Sequence, residues 1–404
     1  MQTSEIIHDW NGAGALGGLS QVELLDETLR DGIQSPSAID PPSEVKVQLL
    51  RLLAELGVTH CDIGLPGAGP RARADVTLLA RTILEEKLPI RANCAARTVI
   101  ADIAPVVDVS QSVGVPLDVY TFIGSSPIRQ YAEEWDLDFI VKQSTEAITF
   151  AVSHGLKCTY VTEDTTRSRP EALTTLFRAA IDAGASRLCL CDTVGHATPN
   201  GARALVAFAR SVAGPTIGLD WHGHNDRGLA LANALAAGEA GATRLHGTAL
   251  GIGERVGNTP LDQLLVNFQL LGLTKKPLTR LLEFVRLASK HIGQEIPVNY
   301  PLAGRDAFRT ATGVHAAAII KAQKKGDIWL ADRIYSGVPA GEFGKSQEIE
   351  IGPMSGLSNV RYWLAEHGVA ASDDGARAVL AVAKSAARTL TESEIRTALE
   401  DPAK

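Results

Sequence analysis

Short apolar runs alternate with longer stretches of helical period along most of this chain. The runs fall at 22–25, 59–63, 89–93, 117–122, 157–161, 187–191, 216–221 and 243–248, of a length and β-branched content that predict buried strands. Between them, 44–56, 139–154, 170–183 and 228–240 carry apolar residues at a period of 3.6, which predicts helices. Gly57, Gly155, Gly184 and Gly241 each follow a helical stretch and lead into the next run, as αβ loops require. Eight such units occupy about 250 residues, which favours a (β/α)8 TIM barrel over a doubly wound sheet.

The beat stops near Leu273. Residues 274–301 read as a helix and linker, and 302–367 are mixed, with scattered Gly and Pro. Residues 372–404 read as helical, opened by Ser372-Asp373-Asp374 and by the capping box Thr391-x-x-Glu394. The expected organisation is an N-terminal extension (1–20), a barrel (21–290) and a mostly helical C-terminal region (291–404).

Composition narrows the classes. The chain has 404 residues, 45% apolar and 21% charged, with a formal net charge of −7. Nucleic-acid binding through phosphates needs a basic surface, so no such partner is expected. No run of about 18 apolar residues predicts a membrane span. Residues 1–20 carry Glu5 and Asp9 and no apolar core of a signal peptide, so a cytoplasmic location is expected. Cys61, Cys94, Cys158, Cys189 and Cys191 form no CxxC pair and sit inside strand-like runs, where they read as reduced, buried small hydrophobes.

In a barrel, polar residues just past the strand ends share one rim, where active sites are built. Here the rim segments are Asp26-Glu27-Thr28-Leu29-Arg30-Asp31-Gly32, Thr162-Glu163-Asp164, Asp192-Thr193-Val194-Gly195, His222-Gly223-His224-Asn225-Asp226 and Gly251 to Asn258. His222 and His224 are two apart on extended chain and face one side. Barrel closure makes the first, seventh and eighth strands neighbours, so Asp31 converges with both imidazoles and Asn258 offers a fourth, oxygen ligand. Two imidazoles and a carboxylate with positions left open describe a catalytic divalent-metal site; the competing reading is a histidine pair capping the next helix. Such a metal suits a 2-oxo acid, whose carbonyl it polarises.

Arg30 is placed to stabilise an enolate oxygen, or else to bridge Glu27 or Glu163 across the mouth. Glu163 and Asp164 point opposite ways, so one reaches the site and the other braces a neighbour. Thr193 offers a hydroxyl to a carboxylate or caps a helix. Gly344-Lys345-Ser346 lacks the opening glycine of a phosphate loop, and Gly251-x-Gly253 is too short for dinucleotide binding.

Leu25-Asp26-Glu27-Thr28-Leu29-Arg30-Asp31-Gly32 with Gln34, His222-Gly223-His224-Asn225-Asp226 and Gly253-Glu254-Arg255-Val256-Gly257-Asn258 together resemble the α-isopropylmalate and homocitrate synthase family over residues 21–273, and more weakly to 365. The resemblance implies Claisen-type condensation of acetyl-CoA with a 2-oxo acid, followed by thioester hydrolysis. It implies that Asp31, His222, His224 and Asn258 hold Mn, Mg, Zn or Co. Arg30 and Gln34 would bind the oxo acid, and Glu163 and Thr193 would position substrates. Thr312-Gly313-Val314-His315 looks like the family's Ser-Gly-Ile-His segment, whose histidine helps remove the acetyl methyl proton, often inside a partner subunit's barrel. Tyr335 would assist, and a homodimer is implied. On residues alone, His315 reads as a helix-surface histidine.

Departures from the family bear on the substrate. Thr159 stands where homocitrate synthases carry an Arg for the distal carboxylate of 2-oxoglutarate, Tyr120 replaces a usual His, and Gly64-Leu65-Pro66 replaces Gly-Phe-Pro. Leucine-biosynthetic members carry a C-terminal regulatory domain of well over a hundred residues beyond such a barrel, and in 404 residues no leucine feedback is expected. Tyr335 to Gly341 resembles specialised branches that use aryl or phosphono oxo acids, for which Arg71, Arg73, Arg97 and Arg129 are candidate anion partners. The rival within the superfamily is a lyase of the hydroxymethylglutaryl-CoA type or an aldolase. That lyase uses a catalytic Cys near the end of its barrel, and no Cys follows Cys191. A metabolite-binding scaffold without catalysis is the rival from another class.

Overall fold

Eight parallel strands pair in sequence order and close on themselves: β1 (Glu23–Asp26), β2 (His60–Asp62), β3 (Arg91–Arg97), β4 (Asp118–Gly124), β5 (Lys157–Glu163), β6 (Arg187–Asp192), β7 (Gly218–Gly223) and β8 (Arg244–Gly247). The seam runs from Glu23↔Arg244 to Asp26↔Gly247. This computed structural model describes residues 6–11, 18–274 and 276–400. Residues 1–5 and 12–17 of the expected N-terminal extension lie outside the described residues.

Each strand leads into a helix: α1 (Ser43–Glu55), α2 (Pro70–Glu85), α3 (Ile100–Val113), α4 (Leu137–Ser153), α5 (Pro170–Asp182), α6 (Pro199–Ala213), α7 (Ala230–Glu239) and α8 (Leu261–Leu270). Proline opens α2, α5 and α6, where its missing N–H costs nothing. Gly57, Gly155, Gly184 and Gly241 all take positive φ after helix ends, conformations that a side chain would oppose. The helices bury one stripe each, as Leu173, Leu176, Phe177 and Ala180 do on α5. Each such large side chain contributes about 2 kcal/mol of burial.

The third strand departs from expectation. The apolar run at 89–93 covers only the first half of β3, whose ladder with β2 runs from His60↔Arg91 to Asp62↔Asn93, while that with β4 runs on from Asn93↔Asp118 to Arg97↔Phe122. β4, β5 and β7 likewise run one or two residues past their apolar runs. Ladder hydrogen bonds need only backbone, and at the barrel mouth polar side chains end the hydrophobic pattern before the pairing ends.

Inward positions alternate along each strand. In the lower interior, Asp220 receives Arg187 at 2.6 Å, Tyr120 Oη at 2.7 Å and His246 Nε2 at 3.1 Å. Arg244 joins Glu23 at 2.7 Å. These buried charges are paired, as burial demands.

The chain divides into two compact units, Met1–Lys276 with Glu283–Glu295, and Pro277–Leu282 with Ile296–Lys404. Helix α9 (Leu281–Ile292) follows the barrel elements in sequence. The second unit carries a two-residue parallel pair, β9 (Arg309–Thr310) and β10 (Glu348–Ile349), with helices α10 (Gly313–Lys324), α11 (Ile328–Arg333), α12 (Leu357–Glu366), α13 (Asp373–Ser385) and α14 (Glu392–Glu400). Val360, Trp363, Leu364, Val379 and Ile395 form its main core. Ser372 Oγ accepts the Gly375 N–H, and Thr391 and Glu394 cap each other, the box expected from sequence. No helix among the described residues is long and apolar enough to cross a membrane.

Candidate metal and substrate site

The mouth of the barrel holds a cavity of about 220 Å³. β7 delivers His222 near its end, and the chain stays extended so that His224 follows on the same side. The turn after β1 carries Arg30 and Asp31. His222 Nε2 and His224 Nε2 lie 3.3 Å apart, and Asp31 Oδ2 lies 3.7 Å and 3.6 Å from them. A cation bonded at about 2.1 Å to all three atoms gives edges of this size. Asp31 Oδ2 is buried without a hydrogen-bond partner among the described residues, which suits an atom reserved for a ligand. Asn258 pairs with His224 through an isolated backbone bridge, and its buried Oδ1 also has no partner among those residues.

Glu27 organises this group. Its Oε2 accepts His222 Nδ1–H at 2.6 Å, which turns Nε2 toward Asp31. Its Oε1 takes Arg30 at 2.5 Å and lies 3.3 Å from His246 Nδ1. Burial alone would raise the Glu27 carboxyl, but His222, Arg30 and His246 hold it well below the ordinary range. Burial opposes charge on His222 too, yet Glu27 lifts that imidazole to about 10. Burial and the neighbouring His222 push His224 down to about 4, leaving a neutral ring able to act as a ligand.

Arg30 bridges Glu27, as one sequence reading had it, and also Asp31 at 3.0 Å and Asp62 at 3.1 Å. It still lines the cavity, together with Gln34, Glu163 and Thr193. Glu163 and Asp164 divide as their adjacency demands. Glu163 faces the cavity with its carboxyl raised by burial, while Asp164 is braced by Arg167 and Ser126. Thr193 Oγ1 accepts the Asp164 N–H at 2.8 Å. It caps no helix, because Thr198 caps α6.

His315 and Tyr335 belong to the second unit. There they stack with ring centroids 4.2 Å apart at 31°, both solvent-exposed. All five cysteines are buried and unpaired, and Cys189 and Cys191 also line the cavity. Sequence reasoning passed over His246 and Asp62, which join the site through Glu27 and Arg30. Their signal was polar alternation inside otherwise apolar runs, His60/Asp62 and Arg244/His246, which marks a polar barrel interior.

Residues 21–289 match the HMGL-like family. The chain is 33% identical to the homocitrate synthase AksA of Methanopyrus kandleri, covering 89% of this chain and 86% of that relative. It is also 33% identical to the homocitrate synthase of Saccharolobus solfataricus, covering 90% and 76%. Among solved structures, an HMG-CoA lyase from Acinetobacter baumannii in complex with coenzyme A and 3-methylmalate superposes with a TM-score of 0.58 at 20% identity, covering 71% of this chain and 94% of that one. That likeness speaks for the fold alone. The protein belongs to the HMGL-like family of barrels and, within it, to the homocitrate and isopropylmalate synthase family of acyl-transferring, condensing enzymes.

Proposed function

We propose that this chain condenses acetyl-CoA with a 2-oxo acid and hydrolyses the resulting thioester with water, giving a 2-substituted malate and CoA. The observation that carries the reading is the triangle of Asp31 Oδ2, His222 Nε2 and His224 Nε2 beside Arg30 in the barrel mouth. Asp31, His222, His224 and Asn258 would hold a divalent ion (Mn, Mg, Zn or Co). When bound, such an ion polarises the oxo acid's carbonyl toward attack.

The chain's own residues supply the rest. Arg30 presents a guanidinium to the negative charge that develops on the acetyl enolate and oxo-acid oxygens, a preorganised donor in a dry site. Thr193 has its oxygen occupied by the Asp164 N–H, so its own O–H proton is free for the substrate carboxylate. Gln34 donates from the opposite lip. Glu163, with its raised carboxyl, orients the thioester end. His315, backed by the Tyr335 ring, takes the acetyl methyl proton as general base, acting across a homodimer. The alternative chemistry for the barrel is a lyase or aldolase; the hydroxymethylglutaryl-CoA type uses a catalytic Cys near the end of its barrel, and no Cys follows Cys191.

The test is CoA release from acetyl-CoA, followed with a thiol reagent across a panel of 2-oxo acids, with and without chelator. Release that depends on one acid and is lost on chelation is the expected result. Arg30→Ala should abolish turnover with metal still bound, whereas His222→Ala should lose the metal by elemental analysis. Silence across the panel with metal supplied overturns the condensation reading and directs attention to cleavage.

A further inference from the structure

We infer that the oxo acid of this site carries an uncharged, apolar side chain, seated against Ala95, Phe122 and Val161. The inference rests on the condensation reading above. In the closed strand order, β1, β7 and β8 carry Asp31, the histidines and Asn258 at or just beyond their ends. β3, β4 and β5 stand across the barrel from them. An oxo acid whose carbonyl and carboxylate face the Asp31 and histidine side therefore directs its side chain at Ala95, Phe122 and Val161, all in the cavity wall.

That wall offers nothing to a second anion. Of the described lining residues, β3, β4 and β5 contribute Ala95, Tyr120, Phe122, Val161 and Glu163, of which Glu163 alone carries charge and that charge is negative; the guanidinium of Arg30 and the imidazoles stand on the opposite side, and Arg30 already faces three carboxylates. The Tyr120 hydroxyl is committed at both ends, donating to Asp220 at 2.7 Å and accepting from Arg244 at 2.6 Å. One inward step below Val161 on β5 stands Thr159, and one below Ala95 on β3 stands Asn93, both neutral.

The arginines that the sequence offered for an anionic side chain all face carboxylates of this chain, and in the case of Arg129 one of these, Glu163, lines the cavity. Arg71 pairs with Asp40, Arg73 with Asp108 and Arg97 with Asp102. Arg129 is held between Glu133 and Glu163, at 3.1 Å from each. None of the four is among the described lining residues. A distal carboxylate or phosphonate entering this wall would lose its hydration and meet the Glu163 carboxylate, of its own sign, which disfavours it. A branched aliphatic or aromatic side chain exchanges water for carbon contacts on the same surface.

The experiment compares kcat/KM for CoA release with 2-oxoisovalerate, phenylpyruvate, 2-oxoglutarate and phosphonopyruvate, at fixed acetyl-CoA and saturating metal. One of the two apolar acids should exceed both anionic ones by roughly 100-fold or more. Preference for 2-oxoglutarate or phosphonopyruvate overturns the inference and leaves condensation standing. No release with any of the acids removes condensation, and the inference with it. Phe122→Ala and Val161→Ala should each re-rank the apolar acids by roughly 10-fold toward the bulkier one, with the anionic acids still poor. An unchanged ranking in both variants removes these residues from the side-chain seat.

Discussion

Glu27 shows how one carboxylate can govern a site without being placed among its ligands. Held between His222, Arg30 and His246, it fixes which nitrogen of His222 faces Asp31 and keeps the Arg30 fork in place. Outer partners of this kind commonly tune metal affinity by about 10–100-fold. Glu27→Gln is expected to weaken Mn or Co binding by about that factor, read by calorimetric titration, while the fold persists by circular dichroism. Unchanged affinity would show that His222 needs no such anchor.

The loop after β8 shows the same economy at the scale of an element. Gly257 has φ +91°, and a Cβ there would lie 1.9 Å from the Gly251 carbonyl oxygen. That carbonyl accepts the Asn258 N–H at 2.8 Å, so the tight turn is what presents Asn258 to the site. Leu250 and Arg255 in the same stretch also take left-handed φ, a density of unusual backbone typical of functional loops. Gly257→Ala should therefore cost about 1–3 kcal/mol in denaturant unfolding and weaken metal binding. Full stability with full affinity would show that the turn relaxes freely.

The sequence makes the barrel legible because its strands are buried on both faces and its helix ends are punctuated by glycine. The convergence of Asp31, His222 and His224 was equally readable, since strand order and period alone bring them together. Less of the second sphere could be read. His246 and Asp62 sit inside apolar runs, where an isolated polar residue declares itself only once the barrel interior is known. β3 begins two residues later and ends four residues later than its apolar run, because Ala92, Ala95 and Ala96 carry little strand signal, while Leu88 and Ile90 ahead of them carry more. Thr193 was ambiguous because a hydroxyl before a helix reads as a cap until Thr198 is seen to do that task.

At the scale of the molecule, the proposed trans action of His315 has a direct consequence. Asp31→Asn and His315→Ala subunits, each inactive alone, should recover about a quarter of wild-type activity when refolded together, since half the dimers are mixed and each mixed dimer holds one intact site. No recovery would place the base within the same subunit, or elsewhere. The relatives named homocitrate synthases are 33% identical over about nine-tenths of this chain, while the proposal for the wall of Ala95, Phe122 and Val161 assigns this chain a different acid.

The closure of β8 on β1 also sets an order in time. Glu27 and His222 touch across 195 positions of sequence, and Asn258 arrives later still. On the ribosome the triangle of Asp31, His222 and His224 cannot exist until more than half of the chain has been made, and Asn258 follows only at nearly two-thirds, so a metal held there would not nucleate the early strands. Such a metal would act as a latch on the late closure between the first and last strands. Amide exchange along the β1–β8 seam should therefore slow when metal is added, while exchange in β3 to β5 stays unmoved.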